Sequence, residues 1–167
     1  VRRFHAELGL TKDPRMMDRT EAVELLEEEF PRLALVHYQD LYDPTQVIYD
    51  LLAAISRAKD EVVGPEEYER LGQEMLEKAS TTEEIEAAHK ALEVARVYVA
   101  YETLKRERNC VDFGDLVWLP VKLLESNDAI RQYLAAAYVH VLVVEYQDEN
   151  RSSIRLLSAL RGTGENL

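Results

Sequence analysis

Residues 139–150 read Val-His-Val-Leu-Val-Val-Glu-Tyr-Gln-Asp-Glu-Asn, and this stretch decides how the rest of the chain is interpreted. Its first half is a short run of β-branched and aliphatic residues, which predicts a strand buried on both faces of a parallel sheet. The run ends at Glu145, and polar and acidic residues follow at once. Open α/β sheets bind ligands at the carboxyl ends of their strands. We therefore expect residues 145–148 to lie at a ligand site.

The remainder of the chain has the apolar spacing of α-helices. Asp43-Pro44 and Gly64-Pro65 each predict the start of a helix, because a proline is well tolerated in the first helical turn. Thr81 and Glu84 have the spacing of a capping box. From there to about Arg108 no proline or glycine interrupts the sequence, so one long helix is predicted.

Shorter helices are predicted on either side of this long helix. Asp18 can cap one of them, and residues 33–37 are expected to form a short helical piece. Asp112 is expected to cap a later helix, which Pro120 should kink or restart. Ser126 or Asn127 is expected to cap the next helix, and a final helix follows the acidic turn. Together these patterns predict a mainly α fold, a helical bundle with one strand near its C-terminal end.

Charge and cysteine content exclude several classes of protein. The chain of 167 residues fits one domain, or one domain plus a piece of another, and its formal net charge is −12. A protein that binds nucleic acid or anionic membrane over its whole surface would be basic, so any DNA contact must come from a local patch. Cys110 is the single cysteine, which excludes an intramolecular disulfide and fits a reducing cytoplasm. No apolar run is long enough to span a bilayer.

Two features predict that the sequence is a piece of a longer protein. It begins with Val1 rather than methionine, in what reads as the middle of a helix. In addition, a lone strand cannot satisfy its backbone hydrogen bonds. We expect its partner strands elsewhere in a parent protein or in another chain. The piece alone is then expected to be monomeric, or to associate artefactually through its unpaired strand.

The stretch 141–150 resembles motif II, the Walker B segment, of UvrD/Rep-type superfamily 1 DNA helicases. In that family an aliphatic strand ends in Asp-Glu, an aromatic residue and then Gln-Asp-Thr-Asn. Residues 111–117, Val-Asp-Phe-Gly-Asp-Leu-Val, resemble the element that precedes motif II by some thirty residues in that family. Further upstream, Met17-Asp18 and residues 55–61, Ile-Ser-Arg-Ala-Lys-Asp-Glu, resemble stretches of the family's helical subdomain 1B.

The resemblance implies an organisation for the chain. Residues 1–137 would be a helical, 1B-like subdomain with its flanking helix of domain 1A. Residues 138–167 would be the Walker B strand and the following helix of the RecA-like α/β domain 1A. The sequence contains no Gly-x-x-x-x-Gly-Lys-Ser/Thr phosphate loop. ATP and Mg²⁺ are therefore expected in the full-length parent, and the piece alone is expected to be inactive.

The resemblance also assigns roles within motif II. Glu145 matches the glutamate that orients or deprotonates the attacking water, and Gln147 matches the γ-phosphate sensor. Asp148 matches an acid that ties motif II to neighbouring motifs.

Val144 stands where the family has its Mg²⁺-binding aspartate, and a valine has no oxygen for a hard cation. Three explanations stay open: a degenerate site, an engineered or sequencing change, or compensation by another carboxylate. Without the resemblance, the acidic turn would be interpreted as a solvated cap of the last helix.

Basic residues of subdomain 1B contact the DNA backbone in such helicases. This implies five candidate DNA contacts, which are Arg57, Lys59, Lys105, Arg106 and Arg108. A simpler interpretation is that they complement the dipoles at helix C-termini.

The complete protein would move 3′ to 5′ on single-stranded DNA with ATP hydrolysis, and the 1B subdomain would guide the strand and the duplex junction. The alternative function is a non-catalytic helical interaction module of a helicase-like protein with a degenerate Walker B motif.

Overall fold

The computed structural model describes residues 1–38, 44–138 and 140–160. Within these ranges the chain is mainly helical, as predicted, and none of the helices is long and apolar enough to cross a membrane. The α-helices are α1 (Arg19–Glu29), α2 (Pro44–Asp60), α3 (Pro65–Lys78), α4 (Thr82–Glu107), α5 (Asp115–Ser126), α6 (Asp128–Ala137) and α7 (Arg151–Leu160).

Capping boxes start two of the helices at the residues that the sequence predicts. The Glu21 amide donates to Asp18 Oδ1 at 2.9 Å, and the Asp18 amide donates to Glu21 Oε2 at 3.1 Å. The same reciprocal pair joins Thr81 and Glu84 at the start of α4, with distances of 3.2 and 3.0 Å. Each box satisfies amide donors that a helix N-terminus leaves without partners, so these starts are fixed locally.

The core lies where α1, α2 and the C-terminal half of α4 meet. Their apolar stripes recur at helical spacing and bury one another, as the sequence pattern predicts. The buried side chains at its centre are Leu25, Leu26, Ile48, Leu51, Ile55, Val97 and Tyr98. The hydroxyl group of Tyr98 donates to the Val63 carbonyl at 3.2 Å, which connects α4 to the turn between α2 and α3.

A two-stranded parallel sheet pairs the segment before α1 with the segment after α4. The sequence patterns did not predict this sheet. Strand β1 (Arg15–Met16) pairs with β2 (Cys110–Val111). The Met17 amide extends the pairing by donating to the Val111 carbonyl at 2.9 Å. The sheet therefore places the N-terminus of α1 beside the loop that leads into α5.

Two predictions about individual elements are wrong. Residues 33–37 are not a continuous helix, because the amides of Val36, His37 and Tyr38 donate to the buried Glu93 carboxylate instead of to helical carbonyls. Of the two outcomes predicted for Pro120, the restart does not occur, because α5 continues through it.

The predicted buried strand is also absent from residues 140–144, where the structure describes no ladder. Strands need backbone partners, and no described strand lies beside this segment. Leu142 is instead 93% exposed. The predicted cap Asp43, together with Val139, Gly162 and Gly164, lies outside the described residues.

Candidate functional site

The motif II segment forms a compact turn that brings two of the predicted site residues together. Glu145 has a φ of 56°, in the left-handed region that non-glycine residues rarely adopt. A single 3₁₀ turn, Tyr146–Asp148, follows, and the Asp148 amide donates to the Glu145 carbonyl at 2.9 Å. The Gln147 side-chain amide donates to the Glu145 carboxylate. Both side chains are exposed, so they face solvent as an adjacent pair.

Asn150 attaches this turn to the rest of the molecule. Its Oδ1 accepts from the Ser153 amide at 2.9 Å and from the Ser152 hydroxyl at 2.8 Å, so Asn150 starts α7. Its Nδ2 donates to Asp60 Oδ1 at 2.7 Å, at the end of α2. Burial, together with the neighbouring Glu61 carboxylate, raises the pKa of Asp60. The cap of the last helix is thus an asparagine, not the acidic residues of the turn.

Helix α7 also packs against α5 and α6. Arg155 makes a two-pronged ion pair with Glu125, with its Nε and one terminal nitrogen at 2.7 and 2.6 Å from the two carboxylate oxygens. Arg151 lies 3.3 Å from Glu61. These contacts hold α7, and the turn before it, against the helical body.

The position of the family's magnesium ligand provides no oxygen in this chain. Val144 is 78% exposed and has no ligand oxygen, and the Glu145 carboxylate accepts a hydrogen bond from Gln147. In the described part of the chain, a single group of three possible ligands lies close together, and it consists of Glu102, Asp112 and Asp115. Two ammonium groups already occupy the space among those carboxylates.

These two ammonium groups belong to Lys59 and Lys105, which are both buried. The Lys59 Nζ lies 2.9, 2.7 and 2.6 Å from oxygens of Glu102, Asp112 and Asp115. The Lys105 Nζ lies 2.8, 2.9 and 2.6 Å from oxygens of the same three carboxylates. We call these five residues the buried ion cluster. It joins α2, α4 and the start of α5.

Charge pairing within the cluster outweighs the cost of burial. Burial alone would raise the pKa of Asp112, but the two ammonium groups hold it well below its usual range. Burial alone would lower the pKa of Lys59, but the three carboxylates hold it well above its usual value. Both ammonium groups are buried among the three carboxylates, which argues against the predicted DNA contacts of Lys59 and Lys105.

The cluster has a local signal in the sequence. Asp112 and Asp115 are three residues apart, and they form a reciprocal box like those of α1 and α4. The Asp115 amide donates to Asp112 Oδ1, and the Asp112 amide donates to Asp115 Oδ2, both at 2.9 Å. Helix α5 begins at Asp115 with Gly114 as its N-cap, so Asp112 fixes the turn before the helix and is not the cap that the sequence predicts. Both carboxylates also bind buried lysines, which come from α2 and α4. The three-residue spacing of Asp112 and Asp115 does not predict these contacts.

The other three predicted DNA contacts remain at the surface. Arg57, Arg106 and Arg108 are exposed. Arg108 pairs with Glu28, whereas Arg57 and Arg106 have no carboxylate within ion-pair distance among the described residues. Two arginines are thus available for an anionic ligand.

A cavity of about 230 Å³ lies over the buried ion cluster, between α1, α2 and the loop before α5. Lys59 and Asp112 contribute to its lining, together with Ser56. Phe113 also lines it, although its side chain is 81% exposed. Sequence reasoning did not single out Phe113. Its position between the two aspartates of the box is the sequence feature that could have identified Phe113.

Comparison with known proteins gives consistent results. The family model described as the UvrD/REP helicase N-terminal domain matches residues 1–167. The chain is 35% identical over 116 residues to the ATP-dependent DNA helicase UvrD1 of Mycobacterium tuberculosis, covering 70% of the chain and 14% of that protein. It is 28% identical over 162 residues to the ATP-dependent DNA helicase Rep of Salmonella typhimurium, covering 97% of the chain and 21% of that protein. It is 26% identical over 167 residues to the ATP-dependent DNA helicase PcrA of Leuconostoc citreum, covering 20% of that protein. The chain thus spans about a fifth or less of the length of these relatives.

Proposed function

Because the chain belongs to the family of UvrD/REP helicase N-terminal domains, we propose that it is part of an ATP-dependent DNA helicase that moves 3′ to 5′ on single-stranded DNA. The observation that carries the proposal is the match of the family model along all 167 residues. Residues 1–137 are the helical, 1B-like part that guides DNA, and residues 138–167 belong to the RecA-like domain. The single, buried cysteine supports a cytoplasmic location.

The motif II turn contributes to ATP hydrolysis in the whole protein. Glu145 orients or deprotonates the attacking water, Gln147 senses the γ-phosphate, and Asp148 connects the turn to neighbouring motifs. Supporting this, Glu145 and Gln147 lie side by side and are exposed, so a nucleotide can reach both. ATP is the cofactor of this proposal. Mg²⁺ commonly accompanies ATP and neutralises phosphate charge, but Val144 provides no ligand for it here.

The proposed DNA contacts are Phe113, which lies over the buried ion cluster, and exposed arginines elsewhere on the helical part. Phe113 presents an exposed aromatic face beside a cavity, and bases stack on such faces in single-strand binding proteins. Arg57 and Arg106 have no ion-pair partner in the described parts of the chain and are proposed to bind phosphates, and Arg108 is a third candidate. The cluster fixes the loop that carries Phe113, because Asp112 precedes it directly.

Two observations favour a second function. Val144 removes the oxygen ligand of motif II, and the formal charge of −12 disfavours a broad DNA contact. Both fit a non-catalytic helical interaction module in a helicase-like protein.

ATP hydrolysis by the longer protein that contains this chain separates the two functions. For a helicase, we expect DNA-stimulated hydrolysis that rises at least tenfold in Val144→Asp, because the substitution restores a magnesium ligand. Glu145→Gln should then abolish the activity, and Glu149→Gln, which removes a neighbouring charge, serves as the control. If neither the original protein nor Val144→Asp hydrolyses ATP, the non-catalytic function is correct. If the original protein is already fully active, Val144 is not the defect proposed here.

A further inference from the structure

The floor of the cavity over the buried ion cluster has its hydrogen-bonding groups already in use. The Lys59 ammonium group, which has three N–H donors, lies within 2.9 Å of oxygens of three carboxylates. Asp112 accepts from the Asp115 amide through Oδ1 and from both lysines of the cluster through Oδ2. The charges of the floor are therefore paired internally and do not require a charged ligand. The walls and the rim decide what the cavity can bind.

The walls are mainly apolar and offer one available polar group. Met17, Leu52 and Ile55 line the cavity, and Ser56 lies beside them on α2. Ser56 is exposed, and its hydroxyl group has no hydrogen-bond partner among the described residues. Pockets for drug-sized ligands typically measure about 300–1,000 Å³. A volume of about 230 Å³ suits a smaller group that is largely apolar and carries a polar edge.

An aromatic ring and a cation lie at the rim of the cavity. Phe113 is 81% exposed, and Arg19, in the first turn of α1, is exposed as well. In the described parts of the chain no carboxylate lies within ion-pair distance of Arg19, whose guanidinium carbon lies 5.2 Å from the centre of the Tyr49 ring. Nucleobases stack on exposed aromatic faces, and arginines bind the phosphates beside them. The rim thus provides one contact for a base and one for a phosphate.

The local charge permits an anionic strand at this rim. The charged residues of the lining are Asp18, Arg19, Lys59 and Asp112, so the lining carries no net formal charge. Residues 1–19, which lead into the cavity, contain five basic and three acidic residues. Their formal charge is +2, whereas that of the whole chain is −12. The phosphate repulsion that disfavours a broad DNA contact is therefore small here.

We propose that this cavity binds one nucleobase of single-stranded DNA, turned out of the base stack. The base packs between the apolar walls and Phe113, and its polar edge meets the Ser56 hydroxyl group, which can both donate and accept. Arg19 binds the adjacent phosphate. The inference rests on the proposed function, because it names the part of the DNA strand that this site takes. It adds a base pocket, with Ser56 and Arg19 as further contacts, to the exposed aromatic face.

Removing the bases from the DNA tests the proposal directly. The probe is a fluorescently labelled oligothymidine of about twelve nucleotides, and the comparison is an abasic oligonucleotide of the same length and charge. Fluorescence anisotropy at low salt with the 167-residue chain measures both affinities. We expect the oligothymidine to bind roughly fivefold or more tightly than the abasic strand, which keeps the phosphate contacts and loses the base.

Filling the cavity separates this site from other base contacts. Ala53 lines the cavity, and Ala53→Leu should weaken oligothymidine binding by roughly fivefold while leaving binding of the abasic strand unchanged. Ala87→Leu adds the same side chain at an exposed position of α4 and is the matched control, with a change below twofold. Ser56→Leu fills the cavity from an exposed position and replaces Ala53→Leu if circular dichroism shows that the latter loses helicity. Arg19→Gln should weaken both strands equally, as a phosphate contact requires.

Equal affinity for the two strands, or no measurable binding of either, would overturn the proposal. Unchanged oligothymidine binding in the cavity-filling variant would overturn it as well, since the bases would then bind elsewhere. Free thymidine should not displace the oligothymidine, because it lacks the phosphate contacts, and displacement would assign the cavity to a free nucleoside instead. ATP hydrolysis by the longer protein is measured separately, so a failure of this proposal leaves the helicase proposal standing.

Discussion

The buried ion cluster shows how two residues that look like surface cations become part of the core. Lys59 and Lys105 each lie near the end of a helix, where a cation complements the helix dipole. The fold instead directs both ammonium groups inward, against three carboxylates. Replacing either lysine would leave a buried charge unpaired, which typically costs about 3–5 kcal/mol. The cluster therefore fixes the loop that carries Phe113. Its two lysines, which the sequence predicted as DNA contacts, are buried.

Asp112 gives the cluster a pH dependence. Its folded-state pKa is depressed, so it contributes stability that is present above the unfolded value of about 3.9 and is lost as pH falls towards the folded pKa. We expect Asp112→Asn to lower the free energy of unfolding by about 2 kcal/mol at pH 7. The difference from the original chain should shrink steadily below about pH 4. Urea unfolding followed by circular dichroism between pH 3 and pH 7 measures it. A difference that stays constant over this range would contradict the assignment.

Phe113 is the single residue on which the proposed DNA contact depends most. Loss of one base-stacking platform typically costs about 1–3 kcal/mol, so Phe113→Ala should weaken binding of a single-stranded oligonucleotide by roughly fivefold or more. Tyr138→Ala removes another exposed aromatic ring from a different surface and serves as the control. Anisotropy at low salt measures both affinities. Equal weakening in the two variants would show that Phe113 has no special role.

At the scale of single elements, helix starts are determined by short sequence patterns. Asp18 and Thr81 cap α1 and α4 as the sequence predicts, because each capping box needs only residues three positions apart. Pro120 is different. A proline in a helix interior disfavours the helix locally, yet the flanking residues Trp118, Val121, Leu123 and Leu124 are buried and α5 continues. Tertiary burial outweighs local preference there.

Thr81 at the start of α4 offers a direct test of this local control. Thr81→Ala removes the side-chain acceptor of the Glu84 amide and should destabilise the chain by about 1 kcal/mol. Thr82→Ala changes the next, exposed residue and should have a smaller effect. Thermal unfolding measures the stability, and amide exchange should show faster opening at residues 82–85 in Thr81→Ala. Equal effects of the two substitutions would mean that the box contributes little.

For the molecule as a whole, an apolar surface near the C-terminal end influences behaviour in solution. Leu142 and Tyr146 are exposed, and residues of the same segment line a second cavity, of about 360 Å³, together with Ile154 and Leu157 of α7. Contiguous exposed apolar surface favours association. We expect the predicted artefactual association to use these exposed apolar side chains, because residues 140–144 form no strand in the described structure.

Leu142→Lys tests this source of association. The substitution places a charge in the middle of the apolar segment and should reduce any concentration-dependent dimer or larger species, since a charge is costly to bury between copies. Light scattering after size-exclusion chromatography, over a range of concentrations, measures the mass. Leu71→Lys, at an exposed leucine of α3, is the control and should leave the mass distribution unchanged. If only the control reduces association, the contact lies on α3 instead.

The sequence by itself determined the mainly α class, the family and most helix starts. These depend on periodicity, on caps three residues apart and on the order of motifs, all of which can be read along the chain. Tertiary structure alone decided the pairing of β1 with β2, the burial of Lys59 and Lys105, and the exposure of Phe113. Each of these depends on contacts between residues far apart in sequence. Residues 140–144 have the composition of a buried strand, but a strand requires neighbours for its backbone hydrogen bonds, and composition cannot supply them.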